Sequence, residues 1–366
     1  MKRLLVLCLG MALLFSACNN KTKPVKPEET PDNPGTEQNS GSDLVQLLSD
    51  SIAMDESRGD LYLKRAKAYM EKEQVGAAMM DVNKAIELDQ KNTDAFLMLA
   101  DIYYLLGDQA NITSSLNRAL EADPYDARPM VKLAEMNMLQ QNFDLALGYI
   151  DNAMKVSTFN PRAYFVKGMI YMAKQDTTAA LKNFLISREQ DADFYENQYQ
   201  ICKIYVAQNH PMTMDFLNAT VNRFPEERVS RYELALYLQE QGYPEEALAH
   251  YDTLLQQNPG DCRSLFNKGY VYFVYLEDNQ KALDYFNQAW ECDPNYIDAL
   301  YNKGHVIERM GDYAQAKMIY TQVLKQQPNH ALALDAMTRI ANQTEGGLVG
   351  DSNRFNKDSL FRQQCC

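Results

Sequence analysis

Metal, redox or nucleophilic chemistry in this chain would have to come from four histidines and seven cysteines. Their spacing supports none of the three. His210, His250, His305 and His330 are scattered and make no HExxH or other ligand-spaced pair. No CxxC pair exists, so neither a redox dithiol nor a zinc knuckle is indicated. There is no GxSxG elbow, no phosphate loop and no calcium-loop signature. The carboxylates fall mostly in turns, as at Asp123 and Asp293, and on polar helix faces, where solvation is their ordinary role. The chain therefore reads as a non-enzyme with no cofactor and no metal.

The elements that carry these residues show best in residues 93–126. Apolar and small residues fall at Phe96, Leu99, Ala100 and Tyr103, then at Ile112, Leu116 and Ala119. Each set occupies one face of a helix. Gly107-Asp108 interrupts the pattern and Asp123-Pro124 ends it. The stretch reads as two antiparallel helices joined by a tight turn, with the small Ala100 allowing close approach. Such a hairpin cannot bury its faces alone and needs neighbours of the same kind.

Shifts of 34 residues supply them. Upstream stand Tyr62, Ala66, Tyr69, Ala78, Val82 and Ala85. Downstream stand Met130, Leu133, Ala134, Ala146, Ile150 and Ala153, then Tyr164, Gly168, Tyr171, Ala180 and Phe184. The fifth copy is worn. Cys202 and Tyr205 fit, but His210-Pro211 occupies the turn and the unit is about one residue short. The sixth, seventh and eighth recover the pattern with Leu234, Ala235, Gly242 and Ala247, with Leu265, Gly269, Ala282 and Phe286, and with Leu300, Gly304, Ala316 and Tyr320.

This register resembles the tetratricopeptide repeat family, whose units place a bulky residue, Leu-Gly/Ala, Tyr, Gly-x-Tyr, Ala, Tyr/Phe, Ala and Pro at fixed offsets. Arg65 and Lys167 depart from the usual Leu. The resemblance covers residues 59–330 and implies one elongated all-α domain. That domain would be a right-handed superhelical solenoid of about eight helix-turn-helix units, with first helices lining a concave groove. Residues 42–58 and 331–343 read as capping helices, because Leu44, Leu47, Leu48 and Ile52 fit a second helix without its first, and Leu332, Leu334, Met337 and Ile340 a first without its second.

The resemblance also implies groove positions. At the fifth residue of successive units stand Leu63, Leu97 and Val131, then Phe165, Tyr199, Tyr232, Phe266 and Tyr301. Tyr270 and Phe273 add rings in the seventh unit, and Asn267 and Asn302 take the sixth position of successive units. Side-chain amides can both donate to and accept from an extended peptide. Such a wall suits a peptide with apolar anchors and could also stack sugar rings. The alternative for each ring is packing against a neighbouring helix. His305 lies on a groove position, where lining a ligand suits it better than acting as a base. Lys203, Arg263 and Arg309 lie near the groove but not in the pattern of the family's carboxylate clamp, which is therefore not carried over.

Cys202 sits at a small packing position and reads as core. Cys262 opens the first helix of unit seven and Cys292 closes its second. Antiparallel helices set those ends side by side, so a disulfide is conceivable if the Cα atoms come to about 5.5–6 Å. Cys365 and Cys366 are open as to state.

Lys2 and Arg3 precede the apolar run Leu4–Phe15, which together with Ser16-Ala17 is too short to span a bilayer and reads as a cleaved signal over 1–17. Phe15-Ser16-Ala17-Cys18 resembles a bacterial lipobox, with Phe15 in place of the commoner Leu. It implies cleavage before Cys18 and lipid on that residue; the alternative is an ordinary secretory signal. Residues 18–41, rich in Pro, Lys, Glu and Asn, read as a tether of roughly 25 Å as a random coil. Residues 344–366 read as a tail. Asn19 lacks the acidic character associated with inner-membrane retention, which favours the outer membrane. The full chain carries a net charge of -13, which argues against nucleic-acid partners. The sequence thus predicts an envelope scaffold or adaptor that binds protein partners in the groove. A glycan-binding envelope protein is the alternative, and an enzyme is the remote one.

Overall fold

The structure is a computed structural model describing residues 40–345, with side chains from 44 to 343. The expected signal segment, Cys18, most of the tether and the tail with Cys365 and Cys366 lie outside the described residues. Among those described there are eighteen helices and no strand. A lone helix α1 (Ser40–Met54) precedes eight hairpins: α2 (Gly59–Glu71) with α3 (Val75–Leu88), α4 (Thr93–Leu105) with α5 (Gln109–Ala122), α6 (Ala127–Leu139) with α7 (Phe143–Val156), α8 (Pro161–Ala173) with α9 (Thr177–Gln190), α10 (Tyr195–Ala207) with α11 (Thr213–Arg223), α12 (Arg228–Glu240) with α13 (Pro244–Gln257), α14 (Cys262–Val274) with α15 (Asn279–Cys292), and α16 (Ile297–Arg309) with α17 (Tyr313–Gln326). The lone α18 (Ala331–Glu345) follows. Two bounds differ from those read in the sequence. Ser40 and Gly41, assigned to the tether, begin α1, and α18 runs two residues past 343.

The turn inside each hairpin is one motif used repeatedly. In the second hairpin the Gly107 N–H donates to the Tyr104 carbonyl and the Asp108 N–H to the Tyr103 carbonyl. These are the paired bonds of a helix end whose closing residue is left-handed. Gly107, Gly242 and Gly311 take that conformation, but so do Glu73, Gln141, Gln175, Asn209 and Glu277. The last five bear a Cβ that opposes it. The worn fifth unit keeps the turn. Asn209 supplies the positive φ, His210 N–H reaches the Tyr205 carbonyl, and Pro211 falls just beyond. The misfit is absorbed by α11, which is cut to 11 residues against 14 in the other second helices. Asp108, Asp176, Asp278 and Asp312 then cap the following helices by accepting a backbone N–H.

Helix approach within a hairpin rests on small residues opposite large ones. Ala66, Ala78 and Ala85 are wholly buried around Val82. In later hairpins a glycine of the first helix receives a ring of the second: Gly168 faces Phe184, Gly269 faces Phe286 and Gly304 faces Tyr320. All three rings are fully buried.

The sequence predicts one elongated domain. The described residues group into two compact units, one up to Asn197 and one from Gln198, with the boundary inside α10 of the worn repeat. Described separately, the first holds α1 and four hairpins. The second holds three regular hairpins, the short α11 and α18.

A glycine pair tests the close approach. A Cβ on Gly168 would sit 2.4 Å from the Phe184 ring, whereas one on Gly148, exposed within α7, meets nothing within 4 Å. Urea unfolding should show Gly168→Ala destabilised by about 1–3 kcal/mol. Gly148→Ala should gain about 0.5–1 kcal/mol.

Candidate functional site

The first unit carries an open groove of about 740 Å³ on the first helices of its four repeats. Its apolar floor is the part-exposed Leu63 of α2 and Met98 of α4, set over Leu97 of α4 and Val131 of α6, which are themselves buried. The 3.6-residue period puts these on the same helix face as charged residues one turn away, and those charges form the rims. Most of them are paired to each other. Arg128 Nη1 lies 2.7 Å from Asp94, Lys132 Nζ 2.5 Å from Asp101 and Arg162 Nε 2.7 Å from Glu135, each bond joining adjacent repeats. Asp60 accepts from Arg58 and Lys64, and the Arg58 guanidinium holds its carboxyl well below the usual carboxylate range. Lys67 is exposed on the rim and makes no ion pair among the described residues. The groove therefore offers an apolar strip between self-neutralised rims, with one cation to spare.

In the second unit the expected ring wall is closed rather than open. Phe266, Tyr270 and Tyr301 are 6, 4 and 3 % exposed. Phe266 packs on Phe286 and Tyr296 with centroids 5.4 and 5.0 Å away. Tyr301 packs on Tyr320, His305 and His330. Phe165, in the first unit, is likewise buried against Phe184 and Phe194. The amides are engaged as well: Asn267 Nδ2 donates to the Tyr232 hydroxyl at 2.8 Å, and Asn302 Nδ2 to the Asp298 carbonyl one turn back at 2.8 Å. Of the predicted ligand wall, only Tyr199 and Tyr232 are part-exposed. Each lies under a cation, Lys203 at 5.6 Å and Arg263 at 5.0 Å. The wall reads as core because the concave side of this unit is filled by its own side chains. Phe165, Phe266, Tyr270 and Tyr301 present no open face for a peptide or a sugar.

His305 belongs to that filling. It stands edge-on to Phe273 at 5.0 Å, and burial pushes its pKa down to about 4. Glu308 accepts from both Arg339 of α18 and the Tyr320 hydroxyl, fastening the last helix over the same region. Cys262 and Cys292 are joined in a disulfide with Cα atoms 5.6 Å apart, and Cys202 is buried in the core. Among the described residues no group of three or more His, Cys, Asp or Glu could hold a metal ion, and no helix is long and apolar enough to cross a membrane.

The open groove was within reach of the sequence. Leu63, Leu97 and Val131 stand in it at the fifth position, and rim charges recur at the second and ninth positions of the same units, joined at the sixth by Lys64 and Lys132.

An all-α stack of uniform hairpins with a lined first-helix face defines a helical-repeat protein. Tetratricopeptide repeat models match residues 59–92, 93–126, 232–297 and 274–340, and the chain belongs to the tetratricopeptide repeat family. Repeats of this family mediate protein–protein interaction. The chain is 30% identical over 115 residues to "Hsp70-Hsp90 organizing protein 3" of Arabidopsis thaliana, covering 31% of this chain and 20% of that one. It is 34% identical over 87 residues to "Photosystem I assembly protein Ycf3" of Acaryochloris marina, covering 23% and 52%. It thus spans about a fifth and about half of these relatives. The solved structure of YrrB, described as a TPR protein with an unusual peptide-binding site, aligns over 52% of this chain and 98% of that one at 23% identity, with a TM-score of 0.46.

The closed inner face has a pH signature. Folding lowers the His305 pKa from 6.5 to about 4, so between those values the unfolded chain binds a proton that the folded chain excludes. The contribution is intact above pH 6.5 and is lost as pH falls toward 4, by about 3 kcal/mol. Urea titrations across this range should show that slope in the native chain, and His305→Leu should remove about that much of it.

Proposed function

We propose that this chain is a lipid-anchored adaptor of the bacterial cell envelope, which captures a segment of a partner protein in the groove lined between Asp60 and Arg162. The groove carries the reading: an apolar floor with paired rims rewards burial of apolar side chains and costs little desolvation of unpaired charge. The floor residues recur once per repeat, which suits an extended segment or one face of a docked helix. Lys67 gives such a segment one place for an acidic side chain. An organising or assembly role agrees with the names of the relatives.

The anchor rests on Phe15-Ser16-Ala17-Cys18 behind a basic, apolar leader, and the outer membrane on Asn19. Several acyl chains at about 0.8 kcal/mol per buried CH₂ give stable attachment. The Pro-rich stretch after Cys18 sets the distance between membrane and groove.

A photo-crosslinking residue at Met98, in the groove floor, should trap a discrete partner, while the same residue at the exposed Met318 should not. Met98→Glu should lower recovery of that partner about tenfold, some 1.4 kcal/mol, with helicity unchanged. Equal trapping at both positions would remove the groove assignment. For the anchor, metabolic labelling with a fatty acid should mark the native chain and not Cys18→Ser. A labelled Cys18→Ser protein would place the lipid elsewhere.

A further inference from the structure

The two lone helices are opposite halves of one repeat. In the 34-residue register α18 is a first helix, with Leu334, Thr338 and Ala341 at the fourth, eighth and eleventh positions. α1 is a second helix, with Leu44, Leu48 and Ser51 at the twentieth, twenty-fourth and twenty-seventh. Elsewhere these positions close on each other. Leu300, at the fourth, is wholly buried with Ala316, Tyr320 and Val323 at the other three. The twentieth-position residues Ala78, Ala146, Ala180, Ala247 and Ala282 are also fully buried. At the two ends these positions are only partly covered: Leu48 is buried, but Leu44 is 43 % exposed, Leu334 47 %, and Leu47 beside Leu44 63 %.

In the repeat register, the sequence flanking α1 and α18 departs from the pattern of the missing halves. A first helix for α1 would occupy residues 25–37, which contain Pro27, Pro31 and Pro34. Proline inside a helix removes a hydrogen bond and clashes with the preceding turn. A second helix for α18 would place Gly350, Arg354 and Lys357 where the other repeats place alanine, a large apolar residue and, most often, alanine again. Each end therefore lacks what the other end presents.

We propose that a second copy of this chain completes the repeat, with α18 of one molecule packing against α1 of the next. Leu334 then meets Leu44, and Thr338 and Ala341 face Leu48 and Ser51, which are smaller than the Tyr320 ring that requires Gly304. The contact is head-to-tail. Different surfaces of the two copies meet, and each new copy exposes a fresh end. Partner-binding grooves are thereby presented in series on one membrane.

Sedimentation equilibrium of the full chain in density-matched detergent tests this. Leu44→Glu spoils one end and Leu334→Glu the other, both at exposed positions, with circular dichroism confirming that each variant folds. The native chain should gain mass with concentration beyond a dimer. Each variant alone should stay monomeric. An equimolar mixture of the two retains one intact pair of ends and should give a dimer and nothing larger. A native chain that is monomeric at every concentration overturns the proposal. So does either variant that associates as well as the native chain.

Discussion

Everything in this molecule depends on how closely two antiparallel helices approach inside a hairpin. Alanine or glycine on the first helix lets a ring or branched side chain of the second lie against backbone, as Phe184 does at Gly168 and Tyr320 at Gly304. The spacing so fixed is repeated in every hairpin, and it leaves the opposite face of each first helix free to line a groove. Polar residues then divide into those that close turns and those that edge the groove. The hydrophobic strip of one hairpin is too narrow to offset the entropy of ordering it, so each hairpin requires the next.

The fold was legible because its defining contacts lie within one period. Ala66 against Val82, or Leu116 within its own hairpin, can be read from offsets alone, and caps such as Asp108 and Asp176 mark the helix starts. Even the irregular fifth repeat showed as a disturbance at His210-Pro211, although its outcome, a retained turn and a shortened α11, could not be deduced from the pattern. The five left-handed residues with side chains were hidden for the same reason: hydrogen bonding of the following residue, not residue type, imposes the conformation.

The site was less legible because a concave residue's exposure is decided by side chains about thirty residues further along the chain. Phe266 is covered by Tyr296, and Tyr301 by His330, neither within its own hairpin. Leu63 occupies the equivalent position and stays part-exposed; Leu97 and Val131 are buried like the rings, but charged pairs rather than further rings edge the groove above them. A ring at a lining position is therefore weak evidence for a ligand when the next repeat also carries rings. The disulfide was conceivable from antiparallel geometry, but only coordinates give the separation of the two Cα atoms.

The Cys262–Cys292 bond has a mechanical meaning. It joins the first residue of α14 to the last residue of α15, so tension along the backbone bypasses the hairpin through sulfur. A repeat pulled apart would release roughly 100 Å of slack, at about 3.4 Å per residue. The seventh cannot release its share while the bond holds. Under a pull at its two ends, that hairpin is a splice that cannot pay out, and extension must come from the others.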